Sequence, residues 1–370
     1  MQFKKLKKEN IMNSLNLNDL FKLKEILENK VVKNTDNISD NYQLAFLIMQ
    51  LKPTIYDVER AYNLISPFIG LKIKKINRLN SIINLVLTNH KKTTNRNLDR
   101  INWSIYNKCP IICDGCYNDF RNKQLSILEI KEIVSKLKES KVMNITISGG
   151  DPLLWKDLYD FLEYTYSLGL QIGIDTVGFN LDKKLFFNEN IKYIGLPLDS
   201  INKKIQFKMR KSRFDFLSNF KENMNMINQL NVAIKINTMA SKINLHTLCI
   251  LGEYLNDNYN NIFWSIYQWS PIRAKLFTQQ EFEITIAQFE EEVFKLKQKF
   301  PNLNINSKNN EERSFNHILI QNDGTVITFG QFYGEVFYLG NILEDNLNDM
   351  INNPLISRQS TKFKSSIIFQ

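Results

Sequence analysis

The chain has 370 residues, of which 43% are hydrophobic, so it is long enough for one large domain or two ordinary ones with packed cores. Its net charge is +10, but the lysines are scattered over predicted helix faces without an arginine-rich stripe, so a nucleic-acid partner is not favoured. Four unevenly spaced cysteines argue against a disulfide framework, and no signal peptide or apolar run of about 18 residues is present, so we expect a cytoplasmic protein without a membrane partner.

Residues 1–98 are predicted to form an N-terminal helical domain. Three segments carry apolar residues at helical spacing: LNDLFKLKEILEN, DNYQLAFLIMQL and YDVERAYNLISPFI. The polar stretch NHKKTTNRNLDR that follows them is predicted to be a linker.

Residues 99–275 alternate between short β-rich runs and helical patterns. The six runs are INWSIYN, NITISGG, LQIGIDTVG, IKYIGLPLDS, VAIKINTMA and NIFWSIYQWSP. Strands that alternate with helices are typical of parallel sheets with crossover helices. The pattern therefore predicts an α/β fold, an open or partial barrel.

Residues 276–370 follow a different pattern, which predicts a small α+β region. A helix EITIAQFEEEVFKLKQKF precedes a strand LNINS. The segment NHILIQNDGTVITF is predicted to be a hairpin with Asp323-Gly324 as its turn, and a helix LEDNLNDMINN follows.

Three of the four cysteines lie close together in NKCPIICDGCYNDF, where Cys109, Cys113 and Cys116 follow the first β-run. Parallel α/β folds build their active sites at this end of the strands. Thiolates suit zinc or an iron–sulfur cluster, but a structural zinc ion takes four ligands. Three ligands on a [4Fe–4S] cluster leave one iron open for a substrate or cofactor. Cys249 lies in an apolar helical run and is predicted to be a buried small hydrophobe.

CPIICDGCY is similar to the C-x3-C-x2-C signature of radical S-adenosylmethionine (SAM) enzymes, and ISGGDP at residues 147–152 looks like their GGEP element with Asp for Glu. The resemblance implies a partial (β/α)6 TIM barrel with one [4Fe–4S] cluster at Cys109, Cys113 and Cys116 and SAM on its open iron. It also implies cleavage of SAM to a 5′-deoxyadenosyl radical, which abstracts hydrogen from a substrate, and a reducing partner such as flavodoxin or ferredoxin. In one departure, Gly115 stands where many members have an aromatic residue.

The resemblance implies cofactor-binding roles at the ends of successive strands, and it assigns no catalytic side chain. Paired glycines allow close backbone approach, and an adjacent carboxylate complements the SAM ammonium group. Arg210 is suited to the SAM carboxylate, with a solvated helix residue as the alternative interpretation. Asp199 and Ser200 would bind the ribose hydroxyls. The implied cofactor-binding residues are Tyr117, Gly149, Gly150, Asp151, Pro152, Asp175, Thr176, Asp199, Ser200, Arg210, Asn237 and Gln268.

The C-terminal region resembles the tail of SPASM and twitch radical SAM enzymes, in which cysteines hold an auxiliary cluster. Residues 276–370 contain no cysteine, so we expect a single cluster and a hairpin that closes the barrel mouth.

Three hypotheses for function remain open. The first is modification of a peptide or small molecule, and the second is modification of a nucleotide, as in viperin-like nucleotide dehydratases. The third is a non-catalytic binding protein on a degenerate barrel, against which the intact cysteines and GGDP argue. The N-terminal helices would serve the substrate or a partner, or would cap the barrel.

Overall fold

The structure is a computed structural model, and it describes residues 17–35, 37–51, 53–71, 73–90, 98–120, 122–230, 232–272, 276–315, 317–330, 335–353 and 355–356. Most of the predicted linker, residues 91–97, lies outside the described residues. Among the helices described, none has the length and apolar character needed to span a membrane.

Twelve strands are present in the described residues. In chain order they are β1 (Arg100–Tyr106), β2 (Ile111–Ile112), β3 (Asn144–Gly149), β4 (Gln171–Asp175), β5 (Ile191–Pro197), β6 (Lys211–Ser212), β7 (Ala233–Ala240), β8 (Ile262–Gln268), β9 (Asn304–Lys308), β10 (Ile318–Ile320), β11 (Thr325–Phe329) and β12 (Val336–Asn341).

Helices flank the strands and form the N-terminal region. They are α1 (Leu17–Lys33), α2 (Ile38–Gln50), α3 (Ile55–Ile65), α4 (Lys74–His90), α5 (Ile127–Glu139), α6 (Leu158–Ser167), α7 (Lys203–Met209), α8 (Phe216–Ile227), α9 (Leu248–Asn258), α10 (Leu276–Phe282), α11 (Ile286–Lys299), α12 (Asn310–Arg313) and α13 (Leu347–Ile351). Capping boxes fix several helix starts, for example Ser126 with Glu129 on α5 and Thr285 with Gln288 on α11.

A ten-stranded sheet organises the fold in the order β12-β11-β10-β1-β3-β4-β5-β7-β8-β9. The six strands predicted from the alternating zone, β1, β3, β4, β5, β7 and β8, are all parallel to their neighbours, which confirms the partial α/β barrel. Their apolar side chains pack under the helices, with Trp103, Ile147 and Trp264 fully buried.

The C-terminal strands extend this sheet at both edges. β9 lies parallel beside β8, and β10 lies parallel beside β1, so eight strands run in one direction. β10, β11 and β12 then form antiparallel pairs, with the predicted turn at Gly324, where φ is +82°. In the part of the chain that is described β9 and β10 are not paired, and α12 lies between them in sequence.

The N-terminal helices pack against the β12 edge and share the main hydrophobic core with the barrel. The Gln50 side chain donates a hydrogen bond to the Val336 carbonyl at 3.0 Å, and Leu51 forms a parallel bridge with Tyr338. Arg78 of α4, a helix not individually predicted from the sequence, pairs with Glu335. The helices therefore contact the C-terminal extension of the sheet.

Candidate active site

The cysteine-bearing loop follows β1 at the carboxyl end of the parallel strands. It contains β2, which pairs with β6, a two-stranded contact that the sequence did not predict. The Cys116 backbone N–H donates a hydrogen bond to the Cys113 carbonyl at 3.2 Å, which closes a turn between two of the cysteines. Burial raises the pKa of the Cys109 thiol to about 12 and that of Cys113 to about 11. Thiolates at these positions therefore need positive charge nearby.

The donor set fits an iron–sulfur cluster. Cys109, Cys113 and Cys116 form no disulfide, and Arg210 places Nη1 3.9 Å from Cys113 Sγ. Within the described ranges, no three His, Cys, Asp or Glu side chains are arranged to hold a single metal ion. A cubane cluster spreads its cysteines over separate irons, so the sulfurs need not converge on one point.

A close contact in the fold explains why position 115 is a glycine. Its φ is +86°, and a Cβ atom there would lie 2.7 Å from the ring of Trp269. Trp269 is buried and follows β8. Because the indole already occupies this space, an aromatic side chain at position 115 would overlap it. The departure from the family signature is therefore accompanied by an aromatic residue, Trp269, from the segment that follows β8.

The GGDP segment packs directly against the residues before Cys109. Gly150 N donates a hydrogen bond to the Tyr106 carbonyl at 2.6 Å, and Asp151 N donates one to the Lys108 carbonyl at 2.7 Å. A Cβ atom on Gly149 or Gly150 would overlap this backbone. The glycines therefore permit a close approach between two segments of the chain, in addition to the predicted approach to a ligand.

Asp151 is fully buried and uses its carboxylate within the chain. The carboxylate accepts hydrogen bonds from Leu153 N at 3.1 Å, Thr176 Oγ1 at 2.5 Å and Val177 N at 3.2 Å. Burial raises the pKa of Asp151 to about 6, although these three donors favour its ionised form. Pro152 begins the short 3-10 helix Pro152–Leu154, as expected. Asp151 thus links the ends of β3 and β4, and its contact with SAM stays a prediction.

Arg210 and Asp199 form an ion pair at the edge of the cysteine loop. Arg210 Nε lies 2.6 Å from Asp199 Oδ2, and Asp199 Oδ1 also accepts a hydrogen bond from Met239 N at 2.8 Å. Burial alone would lower the pKa of the guanidinium, but Asp199 and the thiols of Cys113 and Cys116 outweigh it and raise that pKa. Arg210 is 16% exposed, so the solvated-helix interpretation does not describe it.

Three other predicted residues are held by internal hydrogen bonds. Ser200 is buried, and its Oγ accepts a hydrogen bond from Asn202 N at 3.1 Å. Gln268 donates to the Ile284 carbonyl at 2.8 Å and accepts from Asn310 N at 2.9 Å. The Tyr117 hydroxyl lies 3.1 Å from Ser148 Oγ, and burial raises its pKa. Their cofactor contacts remain predictions.

Cys249 differs from the expectation of a buried hydrophobe. The side chain is only partly buried, and Lys299 Nζ lies 3.1 Å from its sulfur. Because α9 presents this position toward α11 near the surface, the thiol contacts a cation as well as the core.

Asp175 and Asn237 meet inside the barrel around a lysine that the sequence analysis did not select. Asp175 accepts hydrogen bonds from Lys235 Nζ at 3.2 Å and from Asn237 Nδ2 at 3.1 Å. Lys235 Nζ also lies 5.2 Å from the centroid of the Tyr193 ring. A lysine in the middle of the strand AIKINTMA, two positions before Asn237, was the available signal, because alternate residues of a strand share a face.

Further basic residues lie near Tyr267 of β8, in the flanking segments. Lys308 lies opposite Tyr267 in the β8–β9 register, and Arg313 of α12 places Cζ 5.7 Å from the Tyr267 ring centroid. Burial opposes ionisation of Tyr267, but the positive charges of Lys235, Lys308 and Arg100 lower its pKa. These residues were missed because they come from segments outside the six predicted strands or from a strand's first position.

Comparisons with known proteins agree with this architecture. Residues 103–248 match the family model of the radical SAM superfamily. The chain is 28% identical over 197 residues to an S-adenosylmethionine-dependent nucleotide dehydratase of Selenomonas ruminantium, covering 50% of this chain and 68% of the relative. It is 29% identical over 174 residues to a GTP 3′,8-cyclase of Campylobacter fetus, covering 44% of this chain and 53% of that enzyme.

The fold is shared with solved structures of low sequence identity. SuiB of Streptococcus suis, crystallised with the precursor peptide SuiA, superposes with a TM-score of 0.58 at 14% identity, covering 89% of this chain and 84% of SuiB. The structure of anSMEcpe with bound AdoMet and a peptide gives a TM-score of 0.55 at 14% identity, covering 71% of this chain and 83% of that one. With the cysteine loop, the GGDP segment and the parallel barrel in place, residues 103–248 form a domain of the radical SAM superfamily.

Proposed function

We propose that this protein is a radical SAM enzyme in which Cys109, Cys113 and Cys116 hold one [4Fe–4S] cluster and leave one iron open for SAM. The observation that carries the proposal is the grouping of three cysteines, none in a disulfide, at the carboxyl end of a parallel barrel, with Arg210 beside Cys113. When bound, the reduced cluster and SAM would supply a 5′-deoxyadenosyl radical that abstracts hydrogen from the substrate.

The chain's own residues position this chemistry. The hydrogen bonds from Gly150 and Asp151 to the backbone at 106 and 108 fix the segment that leads into Cys109. Asp199 orients Arg210, whose remaining nitrogen points toward Cys113 and is available to the carboxylate of SAM. The buried Asp151–Thr176 contact holds the ends of β3 and β4 together at the carboxyl edge of the sheet.

We propose a nucleotide as the substrate, whereas the sequence alone favoured a peptide or small molecule. The relatives named as nucleotide dehydratase and GTP cyclase support it, as do the basic residues inside the barrel. A peptide remains the alternative, because the N-terminal helices and the C-terminal strands offer further surface beside the barrel. An electron donor such as flavodoxin or ferredoxin would reduce the cluster, and the reaction after hydrogen abstraction is left open.

The test is the formation of 5′-deoxyadenosine by anaerobically reconstituted protein with dithionite and SAM. Cys113→Ala should lose the product and most of the iron, because a ligand is removed. Cys249→Ser is the control, since its sulfur lies on α9 away from the loop, and should retain both. Product formation at an unchanged rate in Cys113→Ala would refute the proposal. Stimulation of hydrogen abstraction by a nucleotide panel, compared with peptides, then separates the two substrate classes.

A further inference from the structure

We infer that Trp269 is a positioning residue for the proposed cluster. Its indole ring supports the turn between Cys113 and Cys116, in place of the aromatic side chain that many radical SAM enzymes carry at the position of Gly115. The inference rests on the proposed function, because it concerns the same cysteine loop. It deepens that function by assigning the support of the loop to a residue of the segment after β8.

The indole of Trp269 fills the space next to Gly115. A Cβ atom on Gly115 would lie 2.7 Å from Cζ2, 2.9 Å from Nε1 and 3.0 Å from Cε2 of the indole. These atoms are neighbours in the ring, so no side chain fits between the glycine and the indole. The next residue, Cys116, closes the turn through the hydrogen bond from its N–H to the Cys113 carbonyl. The ring therefore packs against the turn that sets the spacing of two proposed cluster ligands.

Hydrogen bonds on both sides fix the main chain of Trp269. Its N–H donates to the Ala240 carbonyl at 2.8 Å, and its carbonyl accepts from Asn310 Nδ2 at 3.1 Å. The residue is buried, and its indole packs on Phe282 with ring centroids 5.6 Å apart. An indole that is fixed by backbone and packing contacts can hold a neighbouring loop in one geometry.

The apolar cluster around Trp269 also includes residues that carry the ion pair of Arg210. Met209 belongs to this cluster, and Met239 packs against it. Met209 directly precedes Arg210, and Met239 N donates a hydrogen bond to the carboxylate of Asp199, the partner of Arg210. Loss of the indole should therefore loosen the ion pair and the cysteine turn together.

A second pair of a glycine and an aromatic ring, on α9 and α11, provides a matched control. A Cβ atom on Gly252 of α9 would lie 2.5 Å from Cε2 of Phe300, which is buried and follows the last residue of α11. Cys249 lies nearly one helical turn before Gly252 on α9. Each aromatic ring thus has a nearby cysteine that reports on its removal, Cys116 for Trp269 and Cys249 for Phe300.

The experiment measures how fast each cysteine of the cluster-free full chain reacts with iodoacetamide, with the labelled peptides quantified by mass spectrometry. Trp269→Ala should raise the rates at Cys113 and Cys116 about 10-fold or more and leave Cys249 unchanged, because loss of a buried ring makes local opening more frequent. Phe300→Ala should raise the rate at Cys249 and leave the loop cysteines unchanged. Trp269→Phe keeps a ring and should retain most of the protection.

A double variant tests whether one ring can replace the other. Gly115→Phe alone should raise the labelling of the loop, because its ring overlaps the indole and an L residue is strained at the φ of +86°. Addition of Trp269→Ala removes the overlap and keeps the strain. The loop cysteines of the double variant should therefore react about 5-fold more slowly than those of Gly115→Phe. Effects that simply add would overturn the inference.

Reconstituted protein extends the test to the cofactor. Trp269→Ala should bind SAM about 10-fold more weakly than the parent, measured from the change that SAM causes in the electron paramagnetic resonance signal, because the support of the ligand loop is lost. Trp269→Phe and Phe300→Ala should match the parent in this titration.

Equal labelling of the loop cysteines in Trp269→Ala and Phe300→Ala would overturn the inference. So would a uniform rise at all four cysteines of Trp269→Ala, which would mark a general loss of the fold. The two proposals fail separately. A chain that forms no cluster but shows the expected labelling refutes the proposed function alone. A chain that cleaves SAM, with loop cysteines that do not respond to Trp269→Ala, refutes this inference alone.

Discussion

Replacing Gly150 by alanine should uncouple the GGDP segment from the cysteine loop. A Cβ atom at this position would overlap the backbone carbonyl of Lys108, and backbone cannot move aside as a flexible side chain does. Separation of the two segments would break the hydrogen bonds from Gly150 N to Tyr106 and from Asp151 N to Lys108. Each broken bond leaves partly buried groups without partners at a cost of about 1–3 kcal/mol, so the two together lower the free energy of unfolding by about 2–6 kcal/mol.

The assay is urea unfolding, in which the midpoints are compared while the slope of the unfolding free energy against urea concentration is unchanged. Iron analysis of the reconstituted protein accompanies it. Gly169→Ala is the matched control. Gly169 has a positive φ of +69°, unlike Gly150, and a Cβ atom there would meet only the end of Lys138 at 4.0 Å. Gly169→Ala should lower the free energy of unfolding by about 1 kcal/mol, because alanine is less stable than glycine at a positive φ. If Gly150→Ala unfolds at the parental midpoint and binds iron normally, the packing of GGDP against the loop does not control the site.

Two further variants test the packing around the barrel. Glu335→Ala should destabilise the protein by about 1–3 kcal/mol, because Arg78 loses its largely buried partner. Glu291→Ala, on the exposed face of α11, should lower the free energy of unfolding by less than about 0.5 kcal/mol in the same urea titration. The pKa of His317 in the folded state lies below its ordinary value of 6.5, so the stability present above pH 6.5 is lost as the pH falls toward 3. His317→Gln should reduce this loss of unfolding free energy between pH 7 and pH 4.5. The same dependence of stability on pH in both proteins would contradict a folded state that holds His317 as a neutral imidazole.

The sequence predicted the barrel because local patterns and topology agree there. Each β-rich run of the alternating zone is apolar on the side that packs under the helices, and the intervening helices force parallel pairing. The sequence could not show that β9 and β10 extend the sheet at opposite edges, because β10 pairs with β1 across more than 200 residues of chain. Long-range pairing of this kind leaves no local signal.

The site was predicted only in part. The spacing of the cysteines predicts a cluster site, but the sequence could not show how the polar residues around them are used. Asp151 and Gln268 point into hydrogen-bond networks that join neighbouring segments, and such contacts depend on tertiary packing. Lys235, Lys308 and Arg313 were missed because each looks like an ordinary basic residue until the fold places them around Tyr267.

The same contacts affect how the N-terminal helices can be studied. Truncation at Leu98 would remove the partners of Val336, Tyr338 and Glu335 along β12 and expose apolar surface that the helices now cover. Point substitutions such as Glu335→Ala are therefore the cleaner way to ask whether these helices serve the substrate, a partner or only the fold.

The most direct test of the central claim is electron paramagnetic resonance of the reduced, anaerobically reconstituted protein with and without SAM. One [4Fe–4S] cluster with an open iron predicts a single cubane signal per chain that changes when SAM is added and is absent in Cys113→Ala. Iron near four per chain should accompany it. A protein that binds zinc in place of iron, or a cluster signal that SAM leaves unchanged, would contradict the account.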